Sequence, residues 1–269
     1  MNDAVLYEAA SAENPIGVLR LNRPDQRNSM TPELLDAYHQ IIDRVRADAA
    51  ARCVVLTGSG KCFSAGADLK SQVQRGGAGG APRMPHEASF AMYVPFLRTL
   101  EIEVPVVGAL NGHAVGGGFG LSLLCDMRIG AREAKYGANF ARLGLHAGLA
   151  ISYTLPRVVG PGRAAELLFT GRLVDGVEAA ELGYLTRAVP TDEVFPAALA
   201  LARDIAAAAP VAVRMMKASL REHTGLSVGA IREAAWREAY AQSATVATGD
   251  FQEGARALLE KREPRFEGR

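Results

Sequence analysis

The chain has 269 residues, 49% of them hydrophobic, enough for one large domain or two small ones around a sizeable core. Thirty Lys and Arg against 29 Asp and Glu leave a formal charge of +1, so no overall basic field argues for nucleic acid and no acidic one for a cationic partner. Three cysteines, Cys53, Cys62 and Cys125, match no zinc spacing; with an acidic N-terminal stretch and no run of about 18 apolar residues, the expectation is a cytoplasmic protein with reduced thiols and no membrane span.

Along the chain, "AVLYEAA" and "IGVLRLN" flank the turn-rich "SAENP" and predict a hairpin. In "MTPELLDAYHQIIDRVRAD", Thr31 is placed to cap a helix and Pro32 sits at its first position. Leu34, Leu35, Tyr38, Ile41, Ile42 and Val45 then recur at helical spacing. "RCVVLTG" reads as a short buried strand, and the glycine- and proline-rich stretch from Ser71 to Pro85 as a loop. "HEASFAMYVPFLRTLEIE" predicts a helix interrupted near Pro95, and "VPVVGAL" another buried strand. Strands followed by helices, repeated, predict stacked β-β-α units. From about Gly160 the pattern is helical except for "YLTRAVP", and the Ala-rich run Ala197 to Ala209 is helix by propensity. Such a run of helices after an α/β core commonly forms a lid or an oligomer interface.

Two small-residue segments stand out. In "KCFSAGADLK", Ala65, Gly66 and Ala67 expose backbone just after a strand. In "GHAVGGGFG", the consecutive Gly116, Gly117 and Gly118 precede an apolar helical run that carries no acid or base on its first turn. Glycines there cost chain entropy and pack no side chain, so either close packing or close approach of a ligand must require them. Two N–H groups converging on one oxygen would form an oxyanion hole. The spacing is neither that of a dinucleotide site nor that of a phosphate-binding P-loop.

Taken together, "FSAGADLK", "VPVVGALNGHAVGGGFGLSLLCDMRI", "AKYGANFARLGLHAGLAISYTLPRVVG" and "AAELLFTGRLVDGVEAAELGYLTRAV" resemble the crotonase, or enoyl-CoA hydratase/isomerase, superfamily in order and spacing. "LNRPDQRNSM" is similar to that family's opening, so the likeness covers nearly the whole chain. The resemblance implies an α/β fold: a spiral of β-β-α units over 1–195 carrying a CoA-thioester site, then a helical lid or trimerisation region over 196–269. It implies an acyl-CoA substrate, no permanently bound cofactor or metal, and self-assembly as a homotrimer or a dimer of trimers. Ala67 and Gly117 match the two oxyanion donors. Ala65, Asp68, Leu69 and Lys70 match the segment beside the adenine and pantetheine arm, and Arg27 resembles a basic residue near the CoA phosphates.

The family's acids are missing. Hydratase members place one glutamate three residues after the middle glycine and a second in the later "YG" loop; here those positions are Gly120 and Phe140. The aspartate nucleophile of dehalogenase-like members would fall at Gly148. Without a carboxylate pair, ordinary hydration is disfavoured. His146, in the loop that bounds the acyl pocket, is the candidate proton carrier near neutral pH, with His113 as another. Tyr93, Gly116, Arg142, Leu145 and Gly148 are candidate pocket residues, and Phe140, Leu143 and Leu145 suggest an apolar acyl site. Isomerisation, decarboxylation and thioester hydrolysis all stay open, as does a non-catalytic carrier or sensor of acyl-CoA.

Overall fold

The computed structural model describes residues 3–67 and 84–269. In chain order the strands are β1 (Val5–Glu8), β2 (Ile16–Leu21), β3 (Cys53–Gly58), β4 (Cys62–Ser64), β5 (Val106–Leu110), β6 (His113–Val115), β7 (Met127–Ala131), β8 (Lys135–Gly137), β9 (Val174–Asp175) and β10 (Arg187–Val189). The helices are α1 (Pro32–Ala47), α2 (Pro85–Leu97), α3 (Gly117–Leu123), α4 (Ile151–Val159), α5 (Pro161–Thr170), α6 (Gly176–Glu181), α7 (Val194–Ala207), α8 (Pro210–His223), α9 (Val228–Val246) and α10 (Gly249–Glu260).

The expected hairpin forms, with Val5 opposite Leu21, and it opens a six-stranded sheet ordered β1-β2-β3-β5-β7-β10. From β2 onward its neighbours are parallel. Every residue of β3 and β5 is buried, as befits strands covered on both faces. One cover is α1, whose Thr31 hydroxyl accepts from the Leu34 N–H at 3.3 Å and whose predicted apolar stripe is buried throughout. Another is α7, which sets Val194, Ala198, Ala202 and Ala206 against the sheet. The division anticipated at residue 195 therefore cuts a helix that packs as core.

Helix α2 runs through Pro95 and changes to a tighter 3₁₀ turn only at Arg98–Glu101, one turn later than the sequence suggested. Arg98 holds that turn to α1 through Asp43 at 2.5 Å. Between "VPVVGAL" and the glycine run lies β6, a strand of three residues, too short to show an alternating pattern. It belongs to a second sheet, ordered β4-β6-β8-β9, whose first three strands are mutually parallel. That small sheet positions the site.

The cysteines are buried and unpaired, and burial pushes the Cys53 and Cys125 thiols up to about 12 and Cys62 up to about 11, so none is poised as a nucleophile. Among the described residues no single helix is long and apolar enough to cross a membrane.

Candidate functional site

Because β4, β6 and β8 are parallel neighbours, the segments that follow them emerge at one edge of the sheet. Those segments are Ala65–Ala67, Gly116–Gly118 and Ala138–Phe140, so three stretches far apart in sequence meet by topology alone. Asn28 locks the first of them. Fully buried in a left-handed conformation (φ 50°), it donates to the carbonyls of Ser59 at 3.1 Å and Cys62 at 2.8 Å, and accepts from the Arg23 N–H. The Ser64 hydroxyl binds the Asn28 carbonyl at 2.8 Å and accepts from Gly66 N–H at 3.3 Å. Ala65 N–H reaches the Arg27 carbonyl, and Met30 N–H the Gly66 carbonyl, forming a bridge beside Ala67 that uses the Gly66 oxygen and not the Ala67 N–H.

The glycines are explained by contact. At Gly66, whose φ is +77°, a β-carbon would lie 2.6 Å from the Val115 oxygen and 2.9 Å from the Gly117 nitrogen, so the two loops touch main chain to main chain. At Gly117 a β-carbon would run into the Met30 thioether, and at Gly118 into the Ser64 backbone. Gly116 takes a positive φ of 56° and donates to Gly137 at 2.9 Å. Backbone conformation therefore demands Gly116 and close packing demands Gly117 and Gly118, and the same packing brings the Gly117 N–H, which at the first position of α3 has no helical acceptor, beside the Ala67 segment.

These segments wall a cavity of about 800 Å³. Arg27, Ala65, Ala67, Tyr93, Gly116, Gly117, Phe140 and Leu145 all line it, and Met92, Leu143, Val246, Phe251 and Leu258 make much of the remainder apolar. Arg27 and Asp25 are exposed, at the mouth. Asp68, Leu69 and Lys70 lie outside the described residues, as does the expected loop from Ser71 as far as residue 83.

Other candidates do not line it. His146 turns its ring Nδ1 onto the Ala147 carbonyl at 2.7 Å, so the expected proton carrier is engaged with its own loop. His113 is exposed and accepts from Lys135 N–H through Nδ1. Arg142 is exposed and caps the Thr170 carbonyl at 3.1 Å. Gly120 lies under Leu149 and Ile151, with a β-carbon there 2.9 Å from Leu149 Cδ2; Phe140, by contrast, does line the cavity but is only 7% exposed. At Gly148 the space of a side chain is filled by the Tyr93 hydroxyl.

Behind this wall stands a polar group that the sequence reading missed. Glu238, on the apolar stripe of α9 with Ile231, Ala235, Ala239 and Gln242, is 3% exposed. Its Oε1 accepts from Ser152 N–H at 2.7 Å and Ser152 Oγ at 2.5 Å, while its Oε2 has no partner among the described residues. Burial pushes its carboxyl up to about 7, although the N–H groups of Ser152, Ala150 and Ile151 act in the opposite direction. It thereby braces the entry to α4, where Leu149 and Ala150 both hold the left-handed conformation at φ 62° and 58°. Two consecutive non-glycine residues of this kind persist only when their surroundings over-determine them. Two polar residues, Glu238 and Gln242, in helical register with the apolar Ile231, Ala235 and Ala239 were the available clue.

The sequence pattern of the enoyl-CoA hydratase/isomerase family matches residues 11–269. A putative enoyl-CoA hydratase of Thermus thermophilus is 39% identical over 93% of this chain and 97% of its own, and the crotonyl-CoA hydratase of Syntrophomonas wolfei is 36% identical over 94% and 95%. Among solved structures, carnitinyl-CoA hydratase from Mycobacterium avium superposes with a TM-score of 0.83 at 31% identity, covering 99% of both chains. The parallel-sheet architecture, the meeting of the two small-residue loops and these likenesses agree: the chain belongs to the enoyl-CoA hydratase/isomerase family and has the crotonase fold.

Proposed function

We propose that the protein binds an acyl thioester of coenzyme A and grips its carbonyl oxygen with the backbone N–H groups of Ala67 and Gly117, stabilising enolate character. The observation that carries this reading is the main-chain contact between Gly66 and Gly117 in the wall of an 800 Å³ cavity. A donor aimed at a developing oxyanion contributes about 3 kcal/mol. Arg27 at the mouth suits the CoA phosphates, Ala65 suits the pantetheine arm, and the apolar wall takes the acyl chain. The likeness to a crotonyl-CoA hydratase and to a carnitinyl-CoA hydratase supports the thioester class.

Hydration through a glutamate pair is not the proposed reaction, because Gly120 and Phe140 have no ionisable side chain and no side chain at 120 fits without displacing Leu149. Enolate chemistry such as isomerisation is. A carrier or sensor of acyl-CoA is the second reading, favoured by the fact that Asp25, exposed at the mouth, is the sole carboxylate among the described lining residues. Self-association through the helical region belongs to the same proposal, in keeping with the exposed Val211, Met215, Met216 and Leu220 of α8, as does a cytoplasmic location with reduced thiols.

Any substitution at Gly117 would disturb Met30, so the test is made on the ligand. Butyryl-CoA should bind at least tenfold more tightly than S-butyl-CoA, which lacks the carbonyl oxygen; equal affinities would remove the oxyanion assignment. Crotonyl-CoA should be hydrated negligibly by the unmodified protein, and robust turnover would overturn the reading of positions 120 and 140. Exchange of the α-protons of bound butyryl-CoA with deuterium oxide separates an enolising enzyme from a carrier.

A further inference from the structure

The described lining residues include three titratable groups: Asp25 and Arg27, exposed at the mouth, and Tyr93, 2% exposed in the wall. Tyr93 sits on α2 and meets Gln242 of α9, which also lines the cavity. The orientation of the Gln242 amide is fixed by chemistry. The His146 carbonyl can only accept, so the amide atom 3.2 Å from it is Nε2. The other Nε2 hydrogen goes to the Tyr93 hydroxyl at 3.0 Å, making that oxygen an acceptor and leaving its own proton to be placed. The internal acceptor for it is Gln242 Oε1 at 3.2 Å, on the same amide, where one hydroxyl cannot align well with both atoms. Burial, with a smaller contribution from Glu238, raises the phenol well above its ordinary range, so the proton stays on at any working pH.

We infer that Tyr93, oriented by Gln242, donates a hydrogen bond to an oxygen substituent on the acyl chain, making the pocket selective for hydroxy- or oxo-acyl thioesters over plain alkyl ones. A bare Gly148 is part of the device, since any side chain there would displace the hydroxyl. The inference rests on the proposed CoA-thioester reading and goes beyond it by naming what in the acyl chain is read. A buried donor facing an alkyl chain keeps only its poorly aligned internal partner, whereas a ligand oxygen completes it.

The test is calorimetric affinity for butyryl-, 3-hydroxybutyryl- and 4-hydroxybutyryl-CoA. The unmodified protein should prefer at least one hydroxyacyl thioester by about tenfold, and Tyr93→Phe should reduce that ratio to within twofold. Gln242→Met, which removes the orienting amide, should reduce it to about threefold; butyryl-CoA binding by each variant certifies its pocket as folded. Equal affinity of the unmodified protein for all three, or a preference that survives Tyr93→Phe and so rests elsewhere, such as on the half-buried Asn139, overturns the inference while leaving the thioester reading intact. Failure of all three ligands to bind overturns both.

Discussion

The cavity has two unlike walls. One, at the ends of β4 and β6, is built of main chain: Gly66 against Gly117 and Gly118 against Ser64, with Asn28 pinning the approach. The other, between α2, α9 and the entry to α4, is built of side chains: Tyr93 and Gln242 line it, and Glu238 stands behind them. The first wall tolerates almost no added atoms but offers groups that every non-proline residue possesses. The second offers chemistry that residue type decides, held by hydrogen bonds that a substitution can remove without filling space.

The sharpest way to break this contrast is Gly118→Ala. Its β-carbon would meet Ser64 backbone, which cannot rotate away, so a loss of about 4 kcal/mol in urea denaturation is expected. A variant as stable as the parent would show that the main-chain wall is looser than described. On the side-chain wall, Glu238 gives a smaller and pH-dependent effect. Its carboxyl is held up to about 7 from 4.5, so the folded state retains the proton more strongly. Its contribution is whole below about pH 4.5 and fades as pH rises through 7, a change of about 3 kcal/mol. Glu238→Gln should flatten that part of the stability-against-pH curve, whereas an unchanged slope would assign it to other groups. Smallest is His146→Ala: with its ring on the Ala147 carbonyl and outside the cavity, acyl-CoA affinity should stay within twofold. A larger loss would return the imidazole to the site.

How legible each wall was in the sequence follows from the same contrast. The hairpin, α1 and the buried strands carry their pattern over four to sixteen residues and were readable. The small-residue loops were readable because bare backbone needs glycine and alanine whatever surrounds it. The side-chain wall was not: Tyr93 and Gln242 are 149 positions apart and Ser152 and Glu238 86 apart, and only the tertiary path brings each pair together. Tyr93 was visible as pocket wall but not its partner. The orientation of His146 depends on a loop held by Thr245 and Gln242, again distant in sequence. Strands of two or three residues, such as β4, β8 and β9, are too short to carry a pattern and owe their existence to neighbours.

The left-hand turn at Gly66 and the bare Cα of Gly118 have a consequence for inheritance. The proposed donors at Ala67 and Gly117 are peptide groups, and nearly every codon specifies one, so a base change at either position rarely deletes the N–H itself. What a mutation can erase is the setting. The heritable weak points are Gly66 and Gly118, each one residue to the side, and Asn28 beneath them, none of which lines the cavity, so that a survey confined to lining residues would not look there.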